Sequence, residues 1–284
     1  MSLRPCPTQS QQDETESHVL GMAEMGYRGL SEQWLLRRAG DLHWRLIAKA
    51  MGQQGAQFKC AKGEPLYAAF CSTSLRLSKP DMPSLGGRLE LSGELFRTSQ
   101  QRLASRLRVR FEGDIIGELI LASTFVGRSA DGTNHTIVRR SPKVMAVPPD
   151  APLSVQRSVD RGSAAARSIL QKNRTGLDAF TEEKILPCPA TDFNAAALLY
   201  FPSYCAIADR ALFQAGERRP ELLASRHVSY VGNVEPGEPI SVTFKRFYRG
   251  YLINFFGARD RPLSTMRIRL QPSRRQSNEA APRS

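Results

Sequence analysis

Two short stretches of this chain bring together groups that could do chemistry. In the first, Gly40-Asp41 is followed at once by Leu42, His43 and Trp44. The Gly-Asp step interrupts a run of apolar residues, and Asp41 suits the N-cap of a helix that begins there. The backbone N–H groups of residues 40–42 would then sit at the positive end of a helix dipole, where developing negative charge is stabilised. In the second stretch, Asp192 and Asn194 place a carboxylate and an amide in a loop ahead of Pro202. Proline fits the first turn of a helix, where its missing N–H costs nothing, so the pair could cap and shape the loop. Arg37, Arg38 and Arg45 flank the first stretch. They could meet phosphate groups or form a solvated basic face.

Other site types find no support in the residues. The five cysteines (6, 60, 71, 188 and 205) are odd in number and contain no C-x-x-C, and the four histidines (18, 43, 135 and 227) are scattered. Neither a disulfide framework nor a metal site is expected. No G-x-S-x-G occurs, and Gly86-Gly87 lacks the lysine and helix of a phosphate loop, so it reads as a hairpin turn. The balance of 40 Lys+Arg against 27 Asp+Glu gives a net charge of +13. Basic residues alternate with apolar ones on expected strands instead of forming one run. Nucleic acid, a phosphorylated cofactor such as coenzyme A, or an acidic carrier protein would each fit that charge, and charge alone does not choose among them.

The elements that must position these groups fall into two similar halves. The 284 residues are 41% hydrophobic, enough to bury the cores of two domains. The longest apolar stretch, 193–201, is too short to span a membrane, and the polar first residues lack a signal peptide's apolar centre. A cytoplasmic protein is expected. In the first half, residues 32–38 read as a short strand. A helix follows, with Trp44, Ile47, Ala48 and Met51 at i, i+3, i+4 and i+7. Strands are then expected at 67–77, 88–97, 102–111 and 114–126. The second half repeats this order with a strand at 183–186, a loop at 190–194 and a helix striped by Tyr204, Ile207, Ala208, Ala211, Leu212 and Ala215. Strands at 225–234, 239–249, 251–260 and 262–271 complete it. Residues 148–176, rich in Pro, Ser and Arg, read as a linker with one short helix at 164–171. The expected division is an arm at 1–20, halves at 21–147 and 177–271 around that linker, and a tail at 272–284. One helix before a run of antiparallel strands, twice over, is an α+β pattern. A double hot-dog satisfies it, with two central helices each wrapped by a curved antiparallel sheet and the sheets joined edge to edge.

A family resemblance sharpens this reading. Residues 192–204, with Asp192, Asn194, Tyr200, Pro202 and Tyr204, resemble the D-x-N…LY-(F/Y)-P-x-Y signature that leads into the central helix of hot-dog thioesterases. Gly40-Asp41-Leu42-His43-Trp44, Tyr67-Ala68-Ala69-Phe70-Cys71 and Tyr230-Val231-Gly232-Asn233 resemble, in this order, the leinamycin-type bifunctional acyltransferase/decarboxylases. The resemblance spans roughly residues 29–237 and implies an enzyme that takes malonyl- or methylmalonyl-coenzyme A. It would decarboxylate the acyl group and load it on an acyl carrier protein in polyketide-type biosynthesis.

The resemblance also implies site residues. Tyr67 matches the family's active-site tyrosine and is expected to face the N-terminus of the first helix. It would act as an oxyanion donor first and an acyl carrier second, because a phenol with an unperturbed pKa near 10 needs activation to attack. His43 is the candidate base for that activation. Asp192 and Asn194 would polarise the thioester or activate water, and Gly40, Asp41, Leu42 and Trp44 would line the substrate. Decarboxylation moves charge onto the thioester oxygen, so donors near that oxygen matter most. No cofactor is implied beyond the thioester itself, and no nucleic acid or membrane. The chain would be a monomer or homodimer. A hot-dog thioesterase or dehydratase, and a non-catalytic carrier-binding module, remain the alternatives.

Overall fold

The computed structural model describes residues 12–129, 131–142, 145–171, 180–217 and 221–272. The first half contains β1 (Asp13–Val19), a two-strand turn of β2 (Met25–Gly26) and β3 (Gly29–Leu30), and then α1 (Glu32–Ala50). After these come β4 (Phe58–Lys59), β5 (Pro65–Leu77), β6 (Arg88–Ser99), β7 (Arg102–Phe111), β8 (Asp114–Arg128) and β9 (Ile137–Arg139). Helix α2 (Leu153–Gln171) connects the halves. The second half holds β10 (Thr181–Ile185), α3 (Pro189–Asp192), α4 (Phe201–Gln214), β11 (Leu222–Tyr230), β12 (Ile240–Phe247), β13 (Gly250–Phe256) and β14 (Pro262–Gln271).

Ten strands form one antiparallel path, β1-β6-β7-β8-β5-β11-β14-β13-β12-β10. The path reads the same from either end. An edge strand that precedes the helix lies outermost, three meander strands follow, and the strand after the helix stands at the centre. The two central strands, β5 and β11, join the halves by pairing Arg76–Ser72 with Ser225–Ser229. Joining them removes two open edges that would otherwise present unpaired backbone groups.

Helix α1 corrects the expected strand at 32–38. Ser31 is its N-cap, with the hydroxyl accepting the Trp34 N–H at 3.3 Å, and the helix runs unbroken through Gly40-Asp41. Leu35, Leu36, Ala39, Leu42, Leu46 and Ile47 are buried along one face. Each large buried side chain contributes about 1.5–3 kcal/mol, whereas glycine inside a helix costs only about 1 kcal/mol. Continuing the apolar stripe therefore wins over breaking at Gly40. A β-carbon at Gly40 would lie 2.7 Å from the Phe201 ring, so the glycine lets α1 and α4 approach closely.

Two further corrections fall at the edges of the expected halves. Residues 13–19 of the expected arm form edge strand β1, paired with β6 from Asp13↔Glu94 to Val19↔Arg88. Its acids hold α1: Glu16 accepts from Arg38 at 2.6 Å and also from Arg45, and Glu14 pairs with Arg45 at 3.1 Å. Arg38 and Arg45 are thus tied to β1 and are not phosphate ligands. Most of the expected linker is helix. Val155, Val159, Gly162, Ala166 and Ile169 repeat at four and three residues, a narrow stripe built partly of small side chains. Residues 172–176 of that linker, and 1–11 and 273–284 of the expected arm and tail, lie outside the described residues. No described helix is long and apolar enough to cross a membrane.

Replacing the buried crossing residue should be costly and replacing its neighbour should not. Gly40→Leu is expected to destabilise by about 1–3 kcal/mol through overpacking. Asp41→Ala should change stability by under about 0.5 kcal/mol, because Asp41 lies mid-helix and not at a cap, and its half-exposed carboxylate makes only long contacts with Arg38 and Arg45, at 3.8 and 3.5 Å. Urea denaturation of the two variants checks both values.

Candidate active site

The site begins where the central strands part. Pairing of β5 with β11 stops at Ser72↔Ser229. Beyond that point the N–H groups of Val231 and Gly232 turn to the Leu263 carbonyl, at 2.8 and 3.1 Å. On β5 a bulge between Phe70 and Ser72 takes Cys71 out of register with β8. The divergence opens a cleft of about 730 Å3, walled by β5, α2, the Asn194–Tyr200 loop, β9 and residues 231–233. Helix α2 closes onto the joint through Gly162, where a β-carbon would lie 2.6 Å from the Ser72 side chain. The Ser229 hydroxyl donates to the Gly162 carbonyl at 2.9 Å.

Strand alternation sorts the side chains near the cleft. Tyr67 pairs with Val126, which pairs with Arg139 on β9. One step along the same face, Ala69 pairs with Thr124, and the Leu103↔Ser123 pair puts Arg102 beside Thr124. Side chains in directly opposed pairs share a face, and residues i and i+2 on one strand do too. Tyr67, Arg139 and Arg102 therefore rise from one face. Ala68 and Phe70 point to the other, where Ala68 packs with Leu46 and Ile47 of α1. This corrects the expected orientation of Tyr67: it turns away from α1, towards α2. Among the described residues, no hydrogen bond engages its hydroxyl.

The inner part of the cleft is aromatic. Trp44, Phe70, Tyr200, Phe201, Tyr204 and Tyr230 line it. Trp44 is fixed by donating its indole N–H to the Ala68 carbonyl at 3.0 Å and by stacking on Tyr200, with centroids 6.2 Å apart. The Phe70 and Phe201 centroids are 4.3 Å apart. Burial pushes the Tyr200 phenol up to about 12, so it stays protonated and can only donate or accept a hydrogen bond at neutral pH.

The other expected site residues are placed differently. His43 is fully buried, with Nδ1 2.8 Å from Ser105 Oγ and Nε2 2.8 Å from Ser123 Oγ. Burial lowers its pKa to about 3, so it is a neutral core group behind Phe70 and outside the cleft lining. Gly40, Asp41 and Leu42 do not line the cleft either, and their N–H groups lie mid-helix and not at a helix start. Asp192 is buried, accepting the Cys188 N–H at 2.9 Å and bonding Arg210 at 3.1 Å. Its carbonyl accepts from the Tyr200 N–H and the Ser203 hydroxyl, so it clamps α3 to α4. Asn194 does line the cleft, and its side-chain oxygen holds the loop by accepting the Ala196 and Leu198 N–H groups at 3.0 and 3.2 Å. Of the expected residues, Tyr67, Trp44 and Asn194 converge on the cleft.

Several lining residues were not anticipated. His135 pairs with Glu238 at 2.8 Å. Burial alone would raise the Glu238 carboxyl. The N–H groups of Ala258 and Glu235, the His135 ring and Arg261 outweigh that effect and hold it at about 2. Glu238 therefore stays ionised and orients the His135 ring. Arg102, Arg139 and Arg167 also line the cleft, while no Asp or Glu does among the described residues. Pairwise spacing offered no clue to the His135–Glu238 contact, since the partners are 103 residues apart.

No protein-family model matches the sequence, and no curated protein matches it. Solved structures do resemble the fold. An acyl-ACP thioesterase from Bacteroides thetaiotaomicron superposes with a TM-score of 0.64 at 9% identity, over 92% of this chain and 98% of that one. A 12:0-ACP thioesterase from Umbellularia californica gives a TM-score of 0.64 at 13% identity, over the same shares. At these identities the likeness is one of architecture. The chain has the large antiparallel sheet of the hot-dog fold.

The buried imidazole has a consequence for acid stability. With a folded pKa of about 3 against an ordinary value near 6.5, the unfolded chain binds one more proton at His43 between those limits. Stability should therefore fall on acidification through this window, by up to about 1.4 kcal/mol per pH unit from this residue. His43→Gln should flatten the slope by one proton's worth, measured by urea unfolding at pH 4, 5, 6 and 7.

Proposed function

We propose that this chain is an enzyme acting on acyl thioesters, with the acyl group held in the cleft between the central strands. The observation that carries the reading is the make-up of that cleft. An aromatic inner end suits an acyl chain, and Tyr67 and Asn194 stand at the wall near the place a thioester carbonyl would occupy. The likeness to acyl-ACP thioesterases supports the substrate class. We read the halves as two hot-dog units in tandem, with α1 and α4 as their central helices.

Hydrolysis is the reaction the fold likeness favours. The His135–Glu238 pair offers a base for it: the ring takes a proton from water, the water oxygen adds to the thioester carbon, and the C–S bond breaks as the ring returns that proton to sulfur, giving free thiol and free acid. Tyr67 would donate to the carbonyl oxygen as charge builds there. Decarboxylation with transfer to a carrier protein, implied by the leinamycin-type resemblance, is favoured by a different observation. No described carboxylate lines the cleft, so a malonyl carboxylate would enter it without like-charge repulsion. Loss of CO2 then leaves an enolate whose oxygen accepts from Tyr67.

Both reactions are read by one experiment. The protein is incubated with propionyl-, dodecanoyl- and methylmalonyl-coenzyme A, with and without a phosphopantetheinylated carrier, and products are weighed by mass spectrometry. Free acid with free thiol marks hydrolysis; a propionyl thioester and CO2 from the methylmalonyl substrate mark decarboxylation. Tyr67→Phe should lower either rate about 10²–10³-fold, while His135→Gln should lower only hydrolysis, by about 10²–10⁴-fold. No product from any substrate would remove the reading.

A further inference from the structure

Alternating arginines on β7 show an asymmetry. Arg106 pairs with Glu94 at 2.7 Å, Arg108 with Glu94 at 3.5 Å and Arg110 with Glu90 at 4.0 Å. Arg102, at the start of the same face, has no carboxylate partner among the described residues and donates to the Ser163 hydroxyl of α2 at 2.7 Å. The same contrast holds at β9: Arg140, just past the strand, pairs with Glu64, whereas Arg139 has no acidic partner among the described residues. Of these strand arginines, the two without acidic partners both line the cleft, where Arg167 of α2 joins them.

Their placement follows from the strand register. Arg102 and Arg139 lie on the same side of β8, beside Thr124 and Val126, hence two residues and roughly 7 Å apart along the strand. Arg139 is two ladder steps from Tyr67, roughly 10 Å across the sheet. Both act on Cys71 at the bulge: burial pushes that thiol up, and both guanidiniums pull it down. Both also line a second, shallower groove of about 260 Å3, which continues past Ser99, Gln101, Gln156 and Asp160. Thus the cationic pair lines both the cleft and the adjoining groove, with Arg139 about 10 Å across the sheet from Tyr67.

We propose that Arg102 and Arg139 anchor the phosphate of a phosphopantetheine arm, whose thioester lies at Tyr67 and whose acyl group enters the aromatic end. The proposal rests on the acyl-thioester reading above. The shared chemistry is a phosphate ester at the end of a flexible, amide-bearing chain, present in coenzyme A and in a loaded carrier protein. Two unpaired guanidiniums side by side suit a phosphate because each can give a charge-assisted, two-pronged hydrogen bond. The lateral separation from Tyr67 argues against their gripping a carboxylate on the acyl group itself.

Calorimetry of pantetheine, 4′-phosphopantetheine and coenzyme A with the full chain tests this. The phosphate should tighten binding about tenfold or more, and Arg102→Ala and Arg139→Ala should each shrink that gap to about threefold or less. Arg139→Lys should restore part of it, and unchanged thermal melts confirm that the variants fold. A further gain from 4′-phosphopantetheine to coenzyme A identifies the free cofactor as the source. Equal affinity for the two identifies the carrier-bound arm. A gap that is absent in the parent protein, or unchanged in both alanine variants, overturns the anchor. So would variants that weaken methylmalonyl- but not propionyl-pantetheine, which would assign the pair to an acyl carboxylate. The anchor and the reaction are separable: a phosphate gap without turnover of any thioester sinks the reaction alone, and turnover without a gap sinks the anchor alone.

Discussion

The pairing of β5 with β11, and the point where it stops, is the constraint on which the rest of this structure depends. Five residue pairs hold the two halves in one sheet. Had the pairing continued to the start of β5, there would be no cleft, because Tyr67–Phe70 would lie against a neighbouring strand. Instead the β11 chain turns its next N–H groups to Leu263, and β5 takes a bulge at Cys71. Bulges end or redirect pairing at functional edges. A polar tie reinforces the joint from the helix side: buried Arg226 on β11 reaches Glu32 of α1 at 2.8 Å and Asp209 of α4 at 3.1 Å. Such a network costs desolvation, but removing one partner would strand a buried charge.

Helix α2 supplies one wall of the cleft that opens at that gap. It lies over the joint because its stripe of Val155, Val159 and small residues needs an apolar surface, which Phe96, Ala104, Ile120 and Ala122 provide. Gly162 permits the closest approach, directly over Ser72. The same helix contributes Ser163 and Arg167 to the cleft wall. A segment that connects the halves thus also builds the site, and the polar residues that make it look like a linker are the ones facing solvent and ligand.

The continuity of α1 decides which part of the expected chemistry is available. Because the helix begins at Ser31 and not at Asp41, residues 40–42 have no free N–H groups to offer an oxyanion, and His43 points into the core between two serines. Donors for an anion in the cleft therefore lie on the other face of β5 and are side chains, not a helix terminus. The cations on that face are unneutralised by any carboxylate in the lining among the described residues, which favours an anionic ligand over a cationic one.

Local periodicity by itself determined much of this protein. Strands 102–111 and 262–271, the stripe of α4 and the twofold repetition of helix then strands all follow from alternation and helical spacing, which are properties of neighbouring residues. Motif resemblance also picked out Tyr67, Trp44 and Asn194, which meet in the cleft. Three things needed the tertiary structure. Edge strand β1 is acidic and polar, so its pairing depends on Arg38 and Arg45 of α1 and not on hydrophobic pattern. The start of α1 was decided by packing of Leu35 and Leu36, worth more than the cost of Gly40. Arg102 and Arg139 are brought to the face of Tyr67 by strand pairing, and His135 is brought to the cleft in the loop before β9, held by Glu238. Short-range sequence carries the elements; which faces meet is settled only when the sheet closes and the two central strands part.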